Sequence, residues 1–117
     1  PGGLPMDGPS AGIALAVALM GAISGKAPIP KLALTGEITV QGEVRPVGGV
    51  AEKLDAAIQG GAHTVLIPKA NWEEAYASLP CDVIPVEDIA QTLRLAFDIP
   101  YELTVTEGVI PLLYTTA

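Results

Sequence analysis

Apolar residues form one long run near the start of the chain and several shorter runs after it. The long run, residues 11–23, is interrupted only by Gly12 and Gly21. Apolar side chains all round predict a helix that is buried on most faces, and Ser10 is a residue type that caps a helix start. At about 13 residues the run is shorter than the roughly 20 that cross a bilayer. We therefore predict a central buried helix and no membrane span.

Strand and helix patterns alternate after this helix. Strands are predicted at residues 32–40, 63–67 and 81–85, and helices at 50–59, at 71–78 with Asn71 as the cap, and at 86–97. Glycine and proline mark a loop at 1–9 and turns at 42–49. This alternation predicts an α/β (α+β) class, with helices layered on a mixed sheet.

Composition limits the organisation and the partners. Of 117 residues, 50% are hydrophobic and 16% charged, which is enough for one core. We assign residues 1–100 to one domain and 101–117 to a C-terminal extension, and because Pro1 is not an initiator Met we expect the sequence to be a fragment or a processed product. A net charge of −7 argues against nucleic-acid binding, and the single cysteine and lack of a signal peptide favour the cytoplasm.

One charged residue falls on the apolar face of a predicted helix. In the helix at 50–59, Val50, Leu54, Ala57 and Ile58 share one face, and Lys53 lies among them. A lysine there snorkels, pairs with an acid or loses its proton, because burial disfavours the ammonium form. The neutral amine is a base. A structural ion pair or snorkelling explains many such lysines, so Lys53 becomes a candidate base only in the company of a nucleophile.

Ser10 is the candidate nucleophile. It stands at the mouth of the first helix, where unpaired backbone N–H groups and the helix dipole can stabilise an oxyanion. A role as a simple helix cap is the alternative. Serine needs a base to react, and the only histidine, His63, leads into a predicted strand, so Lys53 is the better base.

Three ordered motifs resemble the proteolytic domain of the Lon family. Residues 5–12 read Pro-Met-Asp-Gly-Pro-Ser-Ala-Gly, where the family commonly has lysine at Met6. Residues 35–39 read Thr-Gly-Glu-Ile-Thr and are followed by a Gly-x-Val-x-Pro-Val-Gly-Gly turn at 42–49. The lysine helix begins Val-Ala-Glu-Lys at 50–53, with Ala51 in place of a second family lysine.

This resemblance implies a Ser10–Lys53 dyad endopeptidase on a fold related to a ribosomal-protein domain and to small-molecule kinases. It implies a hexameric ring, unfolded or damaged protein substrates, and no cofactor within this chain, with ATP used only if an ATPase module lies upstream. It further implies that Thr35 hydrogen-bonds the lysine amine and that Asp7 shapes the serine loop. The backbone of Gly8, Pro9 and Ala11 would line the oxyanion site, whereas Glu37 fits a turn or a subunit contact equally well.

Two other functions are compatible with parts of the sequence. Residues 8–12 also match the Gly-x-Ser-x-Gly elbow of α/β-hydrolases, with Asp55 and His63 completing a triad in chain order, but no strand is predicted before the serine. The second alternative is a non-catalytic oligomerisation or partner-binding module of the same fold.

Overall fold

The computed structural model describes residues 11–99. Three α-helices, five β-strands and two 3₁₀ helices follow one another in that part of the chain. The elements are α1 (Ala11–Ser24), β1 (Leu32–Leu34), β2 (Glu37–Ile38), β3 (Val44–Arg45), α2 (Val50–Gln59), β4 (Thr64–Pro68), the 3₁₀ helices Lys69–Asn71 and Glu74–Ser78, β5 (Asp82–Val86) and α3 (Ile89–Ala96). The predicted α/β class is confirmed.

A parallel sheet forms the centre of the described chain. Its strand order is β1-β4-β5, with Leu34 paired to Leu66 across β1 and β4. Side chains alternate between the two faces of such a sheet. Leu32, Leu34 and Leu66 belong to one apolar cluster, whereas Ala33 and Val65 belong to a second. The sheet is therefore buried on both faces, as a parallel sheet requires.

Helices cover these two faces. On the first face, α1 and α3 pack together through Val17, Leu93 and Phe97. On the second face, α2 packs through Val50 and Leu54, and the 69–78 segment adds Trp72 and Tyr76. Both helical crossovers, from β1 to β4 and from β4 to β5, lie on this second face.

Helix α1 is less buried than its composition predicts. Ile13, Ala14 and Val17 lie within the core. The opposite side of the helix carries Leu15, Leu19 and Ile23, which are 51%, 56% and 67% exposed. Spaced four residues apart, these three form one stripe on the helix surface. The prediction of burial on most faces is wrong for the described chain, because the sheet and α3 contact only one side of α1.

The predicted strand at 32–40 is two strands separated by a corner. β1 ends at Leu34, and β2 instead pairs antiparallel with β3, where Glu37 lies opposite Arg45. Gly36 makes the corner with a φ of 153°. A Cβ on Gly36 would lie 2.9 Å from Val44 Cγ1, so only glycine fits there without displacing the hairpin. The corner depends on the approach of β3, which local sequence does not specify.

Two helix predictions also change. Residues 71–78 do not form one helix capped by Asn71, because Trp72 and Glu73 are extended and separate two 3₁₀ helices. The last helix starts at Ile89 rather than at 86, since Asp88 caps it by accepting the Gln91 N–H at 2.8 Å. No helix within residues 11–99 combines the length and apolar character needed to span a membrane.

Candidate active site

The carboxyl ends of β1 and β4 define one edge of the parallel sheet. Thr35 immediately follows β1, and its N–H donates to the carbonyl of Leu66 at 3.0 Å, which extends the strand pairing by one residue. Polar groups beyond the carboxyl ends of parallel strands lie together in space, and ligand sites commonly form there. This edge is therefore the place to look for a site.

The start of α1 lies at the same edge. A Cβ on Gly36 would be 3.4 Å from Ile13 Cδ1, and a Cβ on Gly12 would be 3.9 Å from the backbone nitrogen of Ile38. The first turn of α1 thus packs on the corner that follows Thr35. Ser10 precedes Ala11, the first residue of the helix, by one peptide bond.

The predicted serine loop lies outside the described residues. This applies to Asp7, Gly8, Pro9 and Ser10, as well as to the predicted loop at 1–9 and the extension at 101–117. Their roles remain predictions.

Lys53 lies in the first turn of α2, at the same edge of the sheet. Its backbone N–H donates to the carbonyl of Gly49 at 3.0 Å, and its side chain is half-buried. Val50 and Leu54 on either side are 6% and 2% exposed, whereas Glu52 points to solvent. The helical periodicity therefore located the lysine correctly on the inward side of α2.

Thr35 is a buried polar residue at this edge. It is 7% exposed, and its Oγ1 has no hydrogen-bond partner among the described residues. Since side chains alternate along an extended chain, Thr35 follows Ala33 onto the face covered by α2, the helix of Lys53. A buried hydroxyl without a partner costs about 1–3 kcal/mol. Such a group is typical of a functional site rather than of a core built for stability.

The alternative triad does not come together. His63 lies before β4, where its N–H donates to the carbonyl of Lys31 at 2.9 Å, ahead of the start of β1. That is the amino edge of the sheet, whereas α1 begins at the carboxyl edge. Asp55 is exposed on α2. The distance of His63 from the start of α1 therefore argues against a hydrolase triad of Ser10, Asp55 and His63.

Glu37, the acid of the second motif, is exposed in β2 and lies opposite Arg45. The hairpin that carries Glu37 is held to the end of β5 by two backbone bonds. The Val44 N–H donates to the Glu87 carbonyl at 2.9 Å, and the Ile89 N–H donates to the Gly42 carbonyl at 2.8 Å. The position of Glu37 fits a turn or a contact surface, and the role of this residue stays a prediction.

Sequence reasoning missed the role of Asn71, which binds the loop before the helix of Lys53. The side chain of Asn71 binds the backbone of Val47 twice: Oδ1 accepts the Val47 N–H at 3.0 Å, and Nδ2 donates to the Val47 carbonyl at 2.9 Å. Asn71 and Val47 are 24 residues apart, so no local pattern could reveal the contact. The sequence suggested a helix cap because asparagine commonly caps helices.

Within residues 11–99, two side chains have pKa values shifted from their ordinary values. Burial raises the pKa of Tyr76, and the neighbouring carboxylates of Glu73 and Glu52 raise it further. Burial beside Asp82 likewise raises the pKa of the Cys81 thiol, which stays protonated at neutral pH. Within residues 11–99, no group of three or more His, Cys, Asp or Glu side chains is arranged to hold a metal ion.

Comparison with known proteins identifies the family. Residues 1–98 match the family model of the Lon protease (S16) C-terminal proteolytic domain. The chain belongs to this family. The resemblance seen in the three sequence motifs is thereby confirmed over most of the chain.

Curated Lon proteases show the same relationship. The chain is 48% identical to Lon protease of Methanosarcina barkeri over 104 residues, covering 84% of the chain and 13% of that protein. It is 48% identical to the Vibrio parahaemolyticus Lon protease over 102 residues and 46% identical to that of Escherichia coli over 100 residues. These matches cover 83% and 81% of the chain, and each covers 13% of the relative. The chain thus matches only a small part of each of these proteins.

Proposed function

We propose that this chain is the catalytic part of a serine endopeptidase in which Ser10 is the nucleophile and Lys53 the general base. Membership of a protease family supports the reaction class. The observation that supports the residue assignment is that three features lie at one edge of the sheet: the start of α1, the half-buried Lys53, and the hydroxyl of Thr35, which has no hydrogen-bond partner within residues 11–99.

In the proposed reaction Lys53 is the general base and acts as the neutral amine. The amine accepts the Ser10 hydroxyl proton while Oγ attacks the carbonyl carbon of the substrate peptide. The lysine ammonium then gives this proton to the leaving nitrogen as the C–N bond breaks, which leaves an ester on Ser10. Water then attacks the ester carbonyl carbon while Lys53 accepts a proton from it, and the ammonium gives this proton to Ser10 Oγ as the ester C–O bond breaks and the acid product leaves. No metal or organic cofactor takes part in these steps.

Thr35 and the start of α1 fit supporting roles. An N–H of the neutral Lys53 amine would donate to Thr35 Oγ1, which orients the amine lone pair towards Ser10. Backbone N–H groups in the 8–11 segment, where Asp7 shapes the loop, would bind the oxyanion at the positive end of the helix dipole. Each donor of this type is worth about 3–4 kcal/mol in enzymes where it has been removed.

Membership of the family supports our proposals for the substrates and the assembly. We propose that an extended segment of an unfolded or damaged protein binds along an exposed strand edge, where backbone groups recognise it. A homo-oligomeric, hexameric ring is the proposed assembly, in the cytoplasm. ATP would be used only if an ATPase module lies upstream.

Cleavage of an unfolded protein or flexible peptide tests the dyad directly. We expect Ser10→Ala and Lys53→Ala each to lower the rate by about 10⁴-fold or more, as the loss of a nucleophile or its base does in serine proteases. Lys26→Ala is the matched control, because Lys26 is an exposed lysine in the loop after α1. Undiminished cleavage by either dyad variant would overturn the assignment.

Covalent labelling separates an enzyme from an inert module of the same fold. A fluorophosphonate or boronate probe should react with Ser10 in the wild type and fail to react with Ser10→Ala. If wild-type protein neither cleaves nor reacts, the chain is the non-catalytic oligomerisation or partner-binding module that the sequence leaves open.

A further inference from the structure

Asn71 binds both backbone groups of one residue, Val47, in a distant loop. Its Oδ1 accepts the Val47 N–H at 3.0 Å while its Nδ2 donates to the Val47 carbonyl at 2.9 Å. The two bonds imitate the pairing of a neighbouring strand, and a pair of this kind fixes both the position and the rotation of the residue it holds. The contact is partly buried, so water competes with it less than at an open surface.

Val47, the residue that Asn71 binds, lies just before the start of α2. Val47 is followed by Gly48 and Gly49, and Gly49 caps the helix with a φ of 71° and no side-chain hydrogen bond. Two successive glycines leave the backbone free to adopt many conformations. The Lys53 N–H bonds to the Gly49 carbonyl, so a shift of the glycine pair moves the first turn of α2 and the lysine with it.

Asn71, at the other end of this contact, is attached to the sheet. Asn71 ends the 3₁₀ helix that directly follows β4. β4 pairs with β1, and the Leu66 carbonyl within it accepts the Thr35 N–H at 3.0 Å. Asn71 therefore connects the backbone before Lys53 to the strand pair that carries Thr35.

We infer that Asn71 is a positioning residue that sets the position of the Lys53 amine relative to Thr35. The inference rests on the proposed function, in which Lys53 is the base. A displacement of about 1 Å at a reacting group can lower a rate by about 10²-fold without weakening substrate binding. Asn71 should thus govern the chemical step rather than the affinity for substrate.

The test compares Asn71→Ala, Asn71→Asp and a control in the complete natural polypeptide that contains this sequence. Thr92→Val is the control, because it also removes a side-chain bond to the backbone, from Thr92 Oγ1 to the Asp88 carbonyl at 2.9 Å, but on the opposite face of the sheet. With a quenched fluorescent peptide that the wild type cleaves, we expect Asn71→Ala to lower kcat by about 10- to 100-fold and to change KM by less than about threefold. Asn71→Asp keeps the acceptor for the Val47 N–H and should fall between Asn71→Ala and the wild type.

An activity-independent measurement accompanies the kinetics. Hydrogen exchange at the Val47 amide should accelerate in Asn71→Ala and stay unchanged in Thr92→Val. A kcat for Asn71→Ala equal to that of Thr92→Val, or an unchanged Val47 exchange rate, overturns the inference even if Lys53→Ala is inactive. Full activity of Lys53→Ala overturns the proposed function itself, so the two failures are distinct.

Discussion

Replacing Thr35 by valine should raise the stability of the protein while lowering its activity. Valine has nearly the shape of threonine but substitutes a methyl group for the hydroxyl. Thr35 is 7% exposed, and its Oγ1 has no hydrogen-bond partner within residues 11–99. The substitution therefore removes a buried polar atom without breaking a hydrogen bond in that part of the chain.

The size of the effect follows from the burial. An unsatisfied buried hydroxyl costs about 1–3 kcal/mol, so Thr35→Val should raise the free energy of unfolding by about 1–2 kcal/mol. Thr92 supplies the contrast, since it is fully buried and donates from Oγ1 to the Asp88 carbonyl. Thr92→Val loses a satisfied bond and should lower the free energy of unfolding by about 1 kcal/mol.

Urea denaturation and peptide cleavage together measure both consequences. Unfolding can be followed by the fluorescence of Trp72, the only tryptophan. With an m-value of about 1.5 kcal/mol/M, the midpoints of the two variants should differ by more than about 1 M. Cleavage by Thr35→Val should fall by about 10- to 100-fold, because this variant lacks the hydroxyl that we propose accepts a hydrogen bond from the lysine amine in the reacting complex. Thr92→Val should cleave like the wild type.

Either of two results would refute this reasoning. If Thr35→Val is destabilised as much as Thr92→Val, then its hydroxyl makes a stabilising hydrogen bond and is not an unpaired group. If Thr35→Val is as active as the wild type, the hydroxyl does not orient Lys53, and the supporting role proposed for it is wrong.

Two further predictions concern stability. Gly36→Ala should lower the free energy of unfolding in urea by about 2–5 kcal/mol, because its Cβ would lie 2.9 Å from Val44 Cγ1 at an unfavourable φ. At Gly48 a Cβ would meet no atom within 4 Å, so Gly48→Ala should be neutral or slightly stabilising. Equal effects of the two substitutions would contradict the crowding at Gly36. The raised pKa of Tyr76 means that the native state keeps the phenol proton longer than the unfolded state, so its contribution is complete below the unfolded pKa and is lost as pH rises through the native one. Wild-type stability should therefore decline more steeply than that of Tyr76→Phe in alkaline urea titrations, and parallel declines would contradict the assignment.

Local sequence was sufficient for α2 and for the placement of its lysine. The predicted helix at 50–59 matches Val50–Gln59, and Lys53 lies on its inward side between Val50 and Leu54. This worked because helical periodicity depends only on residues three or four positions apart. The motifs around Ser10 and Thr35 likewise pointed to the family, which the comparisons confirmed.

Tertiary contacts decided the features that local sequence predicted wrongly. Residues 32–40 were predicted as one strand, yet β1 ends at Leu34, just before Gly36, where Val44 and Pro68 from later segments leave no room for a side chain. Asn71 has the chemistry of a helix cap, but Val47 takes both of its hydrogen bonds. In each case a contact between distant residues outweighed a local preference of at most about 1–2 kcal/mol.

By itself, the sequence determined the α/β class, the family, and the identity of a serine and a lysine as the pair to test. Only the tertiary structure placed the start of α1, Thr35 and Lys53 at one edge of a parallel sheet, because that meeting depends on strand order and on helices packed across it. It also left the Thr35 hydroxyl buried without a partner among the described residues and gave the backbone before Lys53 a clamp in Asn71. Periodicity is a property of neighbours along the chain, whereas these distances are set by residues that folding brings together.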